Sequence, residues 1–369
     1  MTSAQLEIQL IAMVVAAACA LPGVFLVLRR VAMMSDAISH AILPGIVLAF
    51  FVTEDLASPL LIAAAAATGL LTVVLIEALS RTRRVKEDAA IGLVFPVLFS
   101  IGVVLIARFA SDVHLDVDAV LLGELAFAPF DRFTIGGADL GPRALWVMGP
   151  VLLLNLAFLA LFFKELTLST FDAGLAAALG FAPGALHYAL MGLVSVTAVG
   201  AFDAVGSVLV VALMVGPPAA AYLLTDRLTG MLALSAGIGA ACALVGYWTA
   251  NALDTSIAGA MATAVGVAFG LAFAFAPGRG LVAQARRRKR QRRTFASAML
   301  AVHLLHHEDT PEEAYECRVP HLREHLRWTP DFARSAVEAA VRDGYVRRDE
   351  DRLSLTEAGR RYAREAMVD

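Results

Sequence analysis

Asp36 and His40 stand four residues apart in the stretch "MSDAISHAILPG", which follows two arginines and opens a long apolar run. Residues at this spacing share one face of a helix, so a carboxylate oxygen and an imidazole nitrogen lie one turn apart. This donor pair suits Mn(II), Fe(II) or Zn(II), with further ligands from other helices. Alternatively, Asp36 caps a helix and His40 bonds a neighbouring one. The spacing alone leaves both explanations open.

Asp203 is the next candidate, because ionisable residues within apolar spans are costly to bury and are functional hypotheses by default. It lies in "GAFDAVG", where glycines indicate a break between two apolar runs. A broken helix at membrane depth lines a cavity or is buried in protein. Asp203 is therefore a candidate second ligand or gate residue, with a simple loop turn as the alternative. Glu77 and Glu124 are weaker candidates of the same kind.

An acidic stretch, "SDVHLDVD" at 111–118, places four potential cation ligands at alternating positions. They are Asp112, His114, Asp116 and Asp118. Acidic outer loops are common in membrane proteins, so attraction of cations is one interpretation and ordinary solvation is the other.

Histidines are concentrated in the last quarter of the chain, which holds five of the eight. His303 and His307 are four residues apart, and so are the successive members of the set Cys317, His321 and His325. This spacing resembles that of metal ligands on helices and predicts a regulatory metal site. Pro320 interrupts the second set, and histidines on helix surfaces are usually just solvated.

The elements that must position these residues follow from composition. The chain has 369 residues, 59% of them hydrophobic, and a mean hydropathy of +0.72, which indicates a polytopic membrane protein. From Pro277 onward the chain holds 19 of its 30 basic residues but only 15 of its 33 acidic residues. The sequence therefore describes a membrane block followed by a basic tail. Three cysteines suggest no disulfide framework.

Apolar runs predict the membrane spans, because a bilayer core of about 30 Å needs roughly 20 helical residues. The runs lie at 8–28, 37–52, 59–79, 89–109, 144–163, 206–224, 229–250 and 256–276, with a shorter one at 187–201. We therefore expect an all-α polytopic membrane protein of about eight or nine transmembrane helices, followed by a small cytosolic winged-helix domain.

Basic residues predict the orientation. With nine crossings, Arg29 and Arg30, the stretch 80–88, Lys164, Arg227 and the basic run after 285 all fall on one side. The positive-inside rule makes that side the cytoplasm. The N-terminus is then outside and the C-terminal domain is cytoplasmic.

A connection at 164–186 is predicted to contain a short helix at the cytoplasmic surface. Its part "TFDAGLAAALG" begins with Thr and Asp, has an alanine-rich body and ends in Gly. Such a helix between two spans suggests a docking element for another protein. No G-x-x-x-x-G-K-[ST] motif occurs, so the chain carries no P-loop of its own, and if it drives uphill transport a partner must supply the energy.

The tail divides into a basic linker and a small domain. The organisation predicted is a transmembrane domain at 1–280, a linker at 281–293 and a soluble domain at 294–369. Helices are expected at 295–307, 319–327, 331–343 and 356–367, with two short β pieces in "GYVRRDEDRLSLT". This order is that of a winged helix.

Three stretches resemble a known family, the manganese/zinc/iron ABC-type permeases. "RRVAMMSDAISHAILPGIVLAF" resembles the signature second span of the family, "LSTFDAGLAAALGFAP" its coupling helix, and "VGSVLVVALMVGPPAAAYLLTDRL" a later span. The resemblance covers roughly residues 8–280. It implies a homodimeric permease that works with a separate ATP-binding cassette subunit and an extracytoplasmic metal-binding protein, and that is not itself an enzyme.

The resemblance also assigns residues. The family's aspartate and histidine fall on Asp36 and His40, which implies a role in the metal pathway. The stretch 168–181 is implied to press into the ATPase, and the residues carrying that contact are Phe171, Asp172, Leu175, Ala178 and Gly180. Manganese is the first expectation for the transported metal, with zinc or iron as alternatives.

The tail resembles the winged helix of diphtheria-toxin-repressor-type metal-dependent repressors, without their separate dimerisation region. Arg323, Arg327, Arg334 and Arg342 lie on helices that would face DNA, but acidic residues are interleaved among them. A regulatory or interaction role is therefore favoured over DNA binding. A membrane-tethered, metal-responsive transcription regulator is the alternative to a transporter.

Overall fold

The computed structural model describes residues 3–54, 58–109, 125–135, 138–326 and 328–367. The chain forms two compact units, Met1–Ala276 and Pro277–Asp369. In the first unit the helices and strands follow one another as α1 Ser3–Leu28, α2 Met33–Ala41, α3 Leu43–Thr53, α4 Pro59–Arg81, α5 Glu87–Phe109, β1 Arg132–Ile135, β2 Ala138–Pro142, α6 Arg143–Leu161, α7 Phe163–Phe171, α8 Ala173–Ala178, α9 Pro183–Leu224, α10 Leu228–Leu253 and α11 Ile257–Phe275.

Among the described residues, eight helices are long and apolar enough to cross a membrane, with α2 and α3 counted as one and the 42-residue α9 also counted once. The predicted helical polytopic fold is confirmed. Most predicted runs agree with the helices to within a few residues, because an apolar stretch in a bilayer satisfies its backbone groups only as a helix.

The second span differs from its prediction. A single helix is expected at 37–52, but the structure has two helices that Ile42 separates. Pro44 lies in the first turn of α3, where it cannot donate a backbone hydrogen bond, so the helix is interrupted just before it. α2 also begins earlier than predicted, at Met33.

Helix α1 lies at the centre of the first unit, against α6, α9 and α10. Its side chains at Ile11, Val15 and Phe25 are fully buried. Gly23 allows a close approach to α9, since a Cβ at this position would collide with the backbone O of Met214. The residues of α1 that contact α9 therefore show where successive parts of α9 lie.

Helix α9 is 42 residues long and reverses direction at Gly206. Asn155 Nδ2 donates to Ala18 O at 2.8 Å and to Thr197 Oγ1 at 3.0 Å, so Thr197 lies beside Ala18. Arg29, at the end of α1, contacts His187, in the first turns of α9. A straight helix, at about 1.5 Å per residue, would carry the chain beyond Thr197 and away from this end of α1.

Met214 instead lies beside Gly23, between Ala18 and the end of α1. The chain has therefore doubled back between Thr197 and Met214. Gly206, with φ 76° and ψ 163°, is the residue of α9 with non-helical dihedral angles. The predicted break in "AFDAVG" is confirmed at its last residue, and the two arms of α9 correspond to the two apolar runs expected there.

A hairpin of β1 and β2 joins α5 to α6, in a connection for which no strands are predicted. Arg132 Nη1 lies 3.2 Å from Glu7 Oε2 in α1, and Arg132 also pairs with Asp139. The hydrogen bond from Arg132 lowers the pKa of the Asp139 carboxyl. The hairpin is thus fixed to the N-terminal end of α1, opposite the end that carries Arg29.

The second unit is mainly helical. Its elements are α12 Leu281–His307, α13 Glu313–Glu316, α14 Val319–His325, α15 Pro330–Arg342, β3 Val346–Asp349, β4 Arg352–Leu355 and α16 Glu357–Ala366. β3 and β4 pair antiparallel, so the two predicted strands are present. A small core includes Leu300, Leu322 and Val337.

The basic stretch at 286–293, which is part of the predicted linker at 281–293, is helical. It is the first half of α12, which begins at Leu281. Arg, Lys and Gln are good helix formers, which favours this outcome. The guanidinium of Arg292 also lies over the Phe332 ring, 4.3 Å from its centroid, and this cation–π contact joins the basic stretch to α15.

Candidate functional site

Asp36 and His40 lie on one face of α2, as their spacing predicts. Asp36 Oδ1 is 3.5 Å from His40 Nε2, and the two side chains are 34% and 27% exposed, respectively. Their neighbours Ser35 and Ser39 face the interior, where Ser39 Oγ donates to Ser35 O at 2.9 Å. The two serines are buried, whereas the carboxylate of Asp36 and the imidazole of His40 remain partly exposed.

Capping does not explain Asp36 in this structure. α2 begins at Met33 and its N-cap is Ala32, so Asp36 lies inside the helix. Among the described residues, His40 forms no hydrogen bond to another helix, and its ring lies 6.0 Å from the ring of Phe95 in α5. The arrangement is therefore an oxygen donor and a nitrogen donor on one helical turn, which is a donor pair of the kind that divalent transition metals accept.

Asp203 lies in α9, three residues before the reversal at Gly206, and its side chain is exposed. Within the described ranges, Asp203 does not form a three-ligand cluster with Asp36 and His40. The structure thus brings two of the three predicted membrane ligands together. Glu124 and the acidic candidates Asp112, His114, Asp116 and Asp118 lie outside the described residues.

Glu77, near the end of α4, is the centre of a polar network that the sequence does not reveal. Its Oε1 lies 2.5 Å from His187 Nε2, and its Oε2 accepts hydrogen bonds from Tyr188 OH at 2.7 Å and from Arg81 Nη2 at 3.1 Å. His187 and Tyr188 lie in the first turns of α9. The only sequence signal was Glu77 itself, as an ionisable residue in an apolar run.

Arg29 extends this network to α7. Its Nη1 lies 3.3 Å from His187 Nδ1, its Nε donates to Thr170 Oγ1 at 3.1 Å, and its Nη2 donates to Ser169 Oγ at 3.0 Å. An arginine only donates, so His187 Nδ1 accepts and Nε2 carries the proton that faces Glu77. Burial lowers the pKa of Arg29 from its ordinary value. A continuous polar chain therefore links α4, α9, α1 and α7.

Helices α7 and α8 form the connection in which one short docking helix is predicted. Asp172 breaks the connection into two helices, and its Oδ1 caps α8 by accepting from Leu175 N at 2.8 Å. Gly180, with φ 86°, ends the segment two residues after Ala178, the last residue of α8. The predicted Asp start and Gly stop are both found.

The surface of this segment is apolar and exposed. Phe171 is 66% exposed and Leu175 is 47% exposed, and Leu179 and Phe181 extend the same surface. On the other side, Leu166 of α7 is fully buried in the core. The segment is therefore anchored to the first unit by Leu166 and Arg29 and presents aromatic and aliphatic side chains outward.

The histidines of the second unit are only partly arranged as predicted. His303 and His307 lie one turn apart on α12. Cys317 and His321 do not share a helix, because Cys317 follows the last residue of α13 and α14 begins at Val319 with Pro320 in its first turn. Cys317 is 3% exposed, and burial raises the pKa of its thiol to about 11. The side chain of His325 lies outside the described part of the chain.

The first unit matches a known protein family. A profile of the ABC 3 transport family matches residues 3–276. In a solved structure titled "PsaBC from Streptococcus pneumoniae in complex with Fab", one chain is 28% identical, with a TM-score of 0.63, and the match covers 75% of this chain and 94% of that one.

Two relatives are close to half identical in sequence. The zinc transport system membrane protein TroD of Treponema pallidum is 49% identical over 354 residues, which is 96% of each chain. The manganese transport system membrane protein MntD of Bacillus subtilis is 48% identical over 270 residues, which is 73% of this chain and 91% of that one. The similarity to TroD thus extends through the second unit.

Proposed function

The chain belongs to the ABC 3 transport family, and on this premise we propose that it is the permease subunit of an ATP-driven divalent-metal importer. It is a multi-pass protein of the cell membrane and a transport subunit, not itself an enzyme. The observation that carries the metal assignment is the pair of donors on α2, with Asp36 Oδ1 and His40 Nε2 3.5 Å apart.

The donor types set the class of metal. One carboxylate and one imidazole suit first-row divalent ions, and the carboxylate favours Mn(II) more than a nitrogen-rich site would. Manganese is therefore our first candidate. Zinc is a close alternative, because a relative named for zinc transport and one named for manganese transport are about equally similar to this chain. Iron is the third candidate.

One pair of donors leaves the coordination shell incomplete. A second permease chain, related to the first by a two-fold axis, would contribute a second Asp36 and His40. Four protein ligands from two α2 helices would then surround the ion. We therefore infer a permease dimer, and the partly exposed side chains of Asp36 and His40 agree with a site completed by another chain.

The same proposal assigns the surface of α7 and α8 to the ATPase subunit. Phe171 and Leu175 present apolar area of the kind that anchors protein interfaces. Asp172, Ala178 and Gly180 shape the segment rather than supply contact area. Movement of this segment would be transmitted to the membrane helices through Arg29 and His187. The metal site would then open alternately to the two sides of the membrane.

Orientation follows from the gathering of basic residues at one end of the first unit. Arg29 and Arg81 meet there through the network of Glu77 and His187. The positive-inside rule assigns this end to the cytoplasm, with the hairpin of β1 and β2 outside, where the metal-binding protein delivers its ion. The C-terminal unit is then cytoplasmic.

For the C-terminal unit we propose a winged-helix-like module with a regulatory or interaction role. Its support is the order of elements, with a two-stranded sheet between α15 and α16. A membrane-tethered transcription regulator is disfavoured, because a transport protein is similar across 96% of the chain, tail included. DNA binding is therefore not part of the proposal.

Metal accumulation tests the proposal. Cells that carry the chain with its ATPase and binding protein are supplied with Mn(II), Zn(II) or Fe(II), and the accumulated metal is measured. We expect one of these ions to accumulate in an ATP-dependent manner. A version that stops after Gly280 tests the tail: higher accumulation at high external metal would make the C-terminal unit a brake. The absence of accumulation by a folded, assembled complex would contradict the importer assignment.

A further inference from the structure

Three potential metal ligands meet in the second unit. The rings of His303 and His307 on α12 have centroids 4.8 Å apart, and Glu316 ends α13. One ligand atom from each of the three residues lies within 4.8 Å of the others. In the described ranges of the whole chain, this is the only such cluster of three or more His, Cys, Asp or Glu side chains.

We propose that His303, His307 and Glu316 form a binding site for a divalent transition-metal ion, with Zn(II) the preferred ion. Two imidazoles and one carboxylate are a ligand set that Zn(II) accepts in proteins, with a further position left for water or another donor. Such a nitrogen-rich set binds Zn(II) more tightly than Mn(II). The site does not depend on the transport function proposed for the first unit.

The surroundings hold these ligands in place. His303 is 7% exposed, and its Nε2 lies 3.3 Å from the backbone O of Glu316, which keeps α12 and α13 together. His321 of α14 lies with its Nε2 2.5 Å from Glu316 Oε2, and Tyr315 packs against the His321 ring. A histidine paired with a ligating carboxylate orients that carboxylate, so His321 is a positioning residue.

Two neighbouring residues are excluded from the site. Cys317 follows Glu316 directly, but its side chain packs in the core with Leu300 and Leu322. His306 precedes His307 on α12, but it faces solvent, and its ring is perpendicular to that of His307. His306 is therefore a matched control, with the same residue type on the same turn of the same helix.

Metal binding to the full chain tests the site. A variant with Asp36→Ala and His40→Ala removes the membrane donors, and the purified protein is stripped with a chelator and titrated with Co(II). We expect one bound equivalent, detected by the visible absorption of Co(II) with four or five ligands, and displacement of that ion by Zn(II). Adding His307→Gln and Glu316→Gln should abolish this equivalent, whereas adding His306→Gln should leave it unchanged.

Folding is controlled in the same samples by circular dichroism and thermal melting, and the buried His303 is left intact for this reason. His321→Ala should weaken Co(II) binding by about 10- to 100-fold, because it removes the partner that orients Glu316. The proposal would be overturned if the His307 and Glu316 variant, still folded, retained the bound equivalent. It would equally be overturned if added Co(II) kept only the spectrum of the hydrated ion.

Discussion

The guanidinium of Arg29 donates to Thr170 Oγ1 at 3.1 Å and thereby joins the end of α1 to the last turns of α7. The same guanidinium contacts His187, which in turn contacts Glu77. One side chain therefore connects the segment proposed to bind the ATPase with the reversing helix and with α4. We therefore expect Arg29 to transmit the conformational change of the ATPase to the membrane helices.

Arg29→Gln should uncouple ATP hydrolysis from transport. The substitution removes charge-assisted hydrogen bonds worth about 1.5–3 kcal/mol each, so metal transported per ATP should fall by about tenfold or more while hydrolysis continues. The matched control is Arg30→Gln, since Arg30 is the exposed neighbour. The comparison is made with the assembled transporter in proteoliposomes. Unchanged coupling in the Arg29 variant would remove this residue from the transmission path.

Phe171→Asp should prevent assembly with the ATPase subunit. Placing a charge at the centre of an apolar contact leaves it desolvated and unpaired, at a cost of several kcal/mol. Phe130→Asp is the control, because Phe130 is also exposed but lies beside the hairpin at the opposite end of α1. The measurement is the amount of ATPase that co-purifies with each variant, which should fall for Phe171→Asp and not for Phe130→Asp. Equal recovery with both variants would place the ATPase contact elsewhere.

Gly206→Ala should destabilise the first unit. The dihedral angles of Gly206 lie in a region that is almost exclusive to glycine, so an alanine there costs about 1–3 kcal/mol. Gly192 lies in a regular part of the same helix, with open space where a Cβ would be, so Gly192→Ala should leave stability unchanged or slightly higher. Thermal melting in detergent compares the two. A melting temperature for Gly206→Ala equal to that of Gly192→Ala would argue against the reversal.

The membrane helices were predictable from the sequence because their signal is local. A run of about 20 apolar residues identifies a span without knowledge of its neighbours. The cause of the interruption between α2 and α3, Pro44, is also local in the sequence. It was missed because a hydropathy pattern shows only how apolar a stretch is and not where its helix is interrupted. The hairpin of β1 and β2 was not predicted, since its strands are short and its position depends on Arg132 contacting Glu7 from a distant part of the chain.

The same distinction separates the predicted from the unpredicted site residues. The proximity of Asp36 and His40 follows from helical spacing alone. Arg29, His187 and Glu77 meet only because α9 folds back onto α1 and α4, so the sequence shows three unrelated residues.

In the tail, a spacing of four suggested Cys317 as a ligand. The chain turns at Pro320, so that Glu316 rather than Cys317 faces the histidines of α12. Here too the outcome was set by contacts between helices, which spacing along the sequence does not reveal.

The central claim, that Asp36 and His40 carry the metal through the membrane, is tested most directly by uptake in a double variant. Radiolabelled Mn(II) and Zn(II) are supplied to cells with the assembled transporter, which carries either Asp36→Ala with His40→Ala or the control Ser39→Ala. Ser39 lies on the same helix, but its side chain is buried and donates to Ser35 O within α2. We predict that uptake falls to background in the double variant and continues in the control, with both complexes assembled. Normal uptake by the double variant would contradict the account.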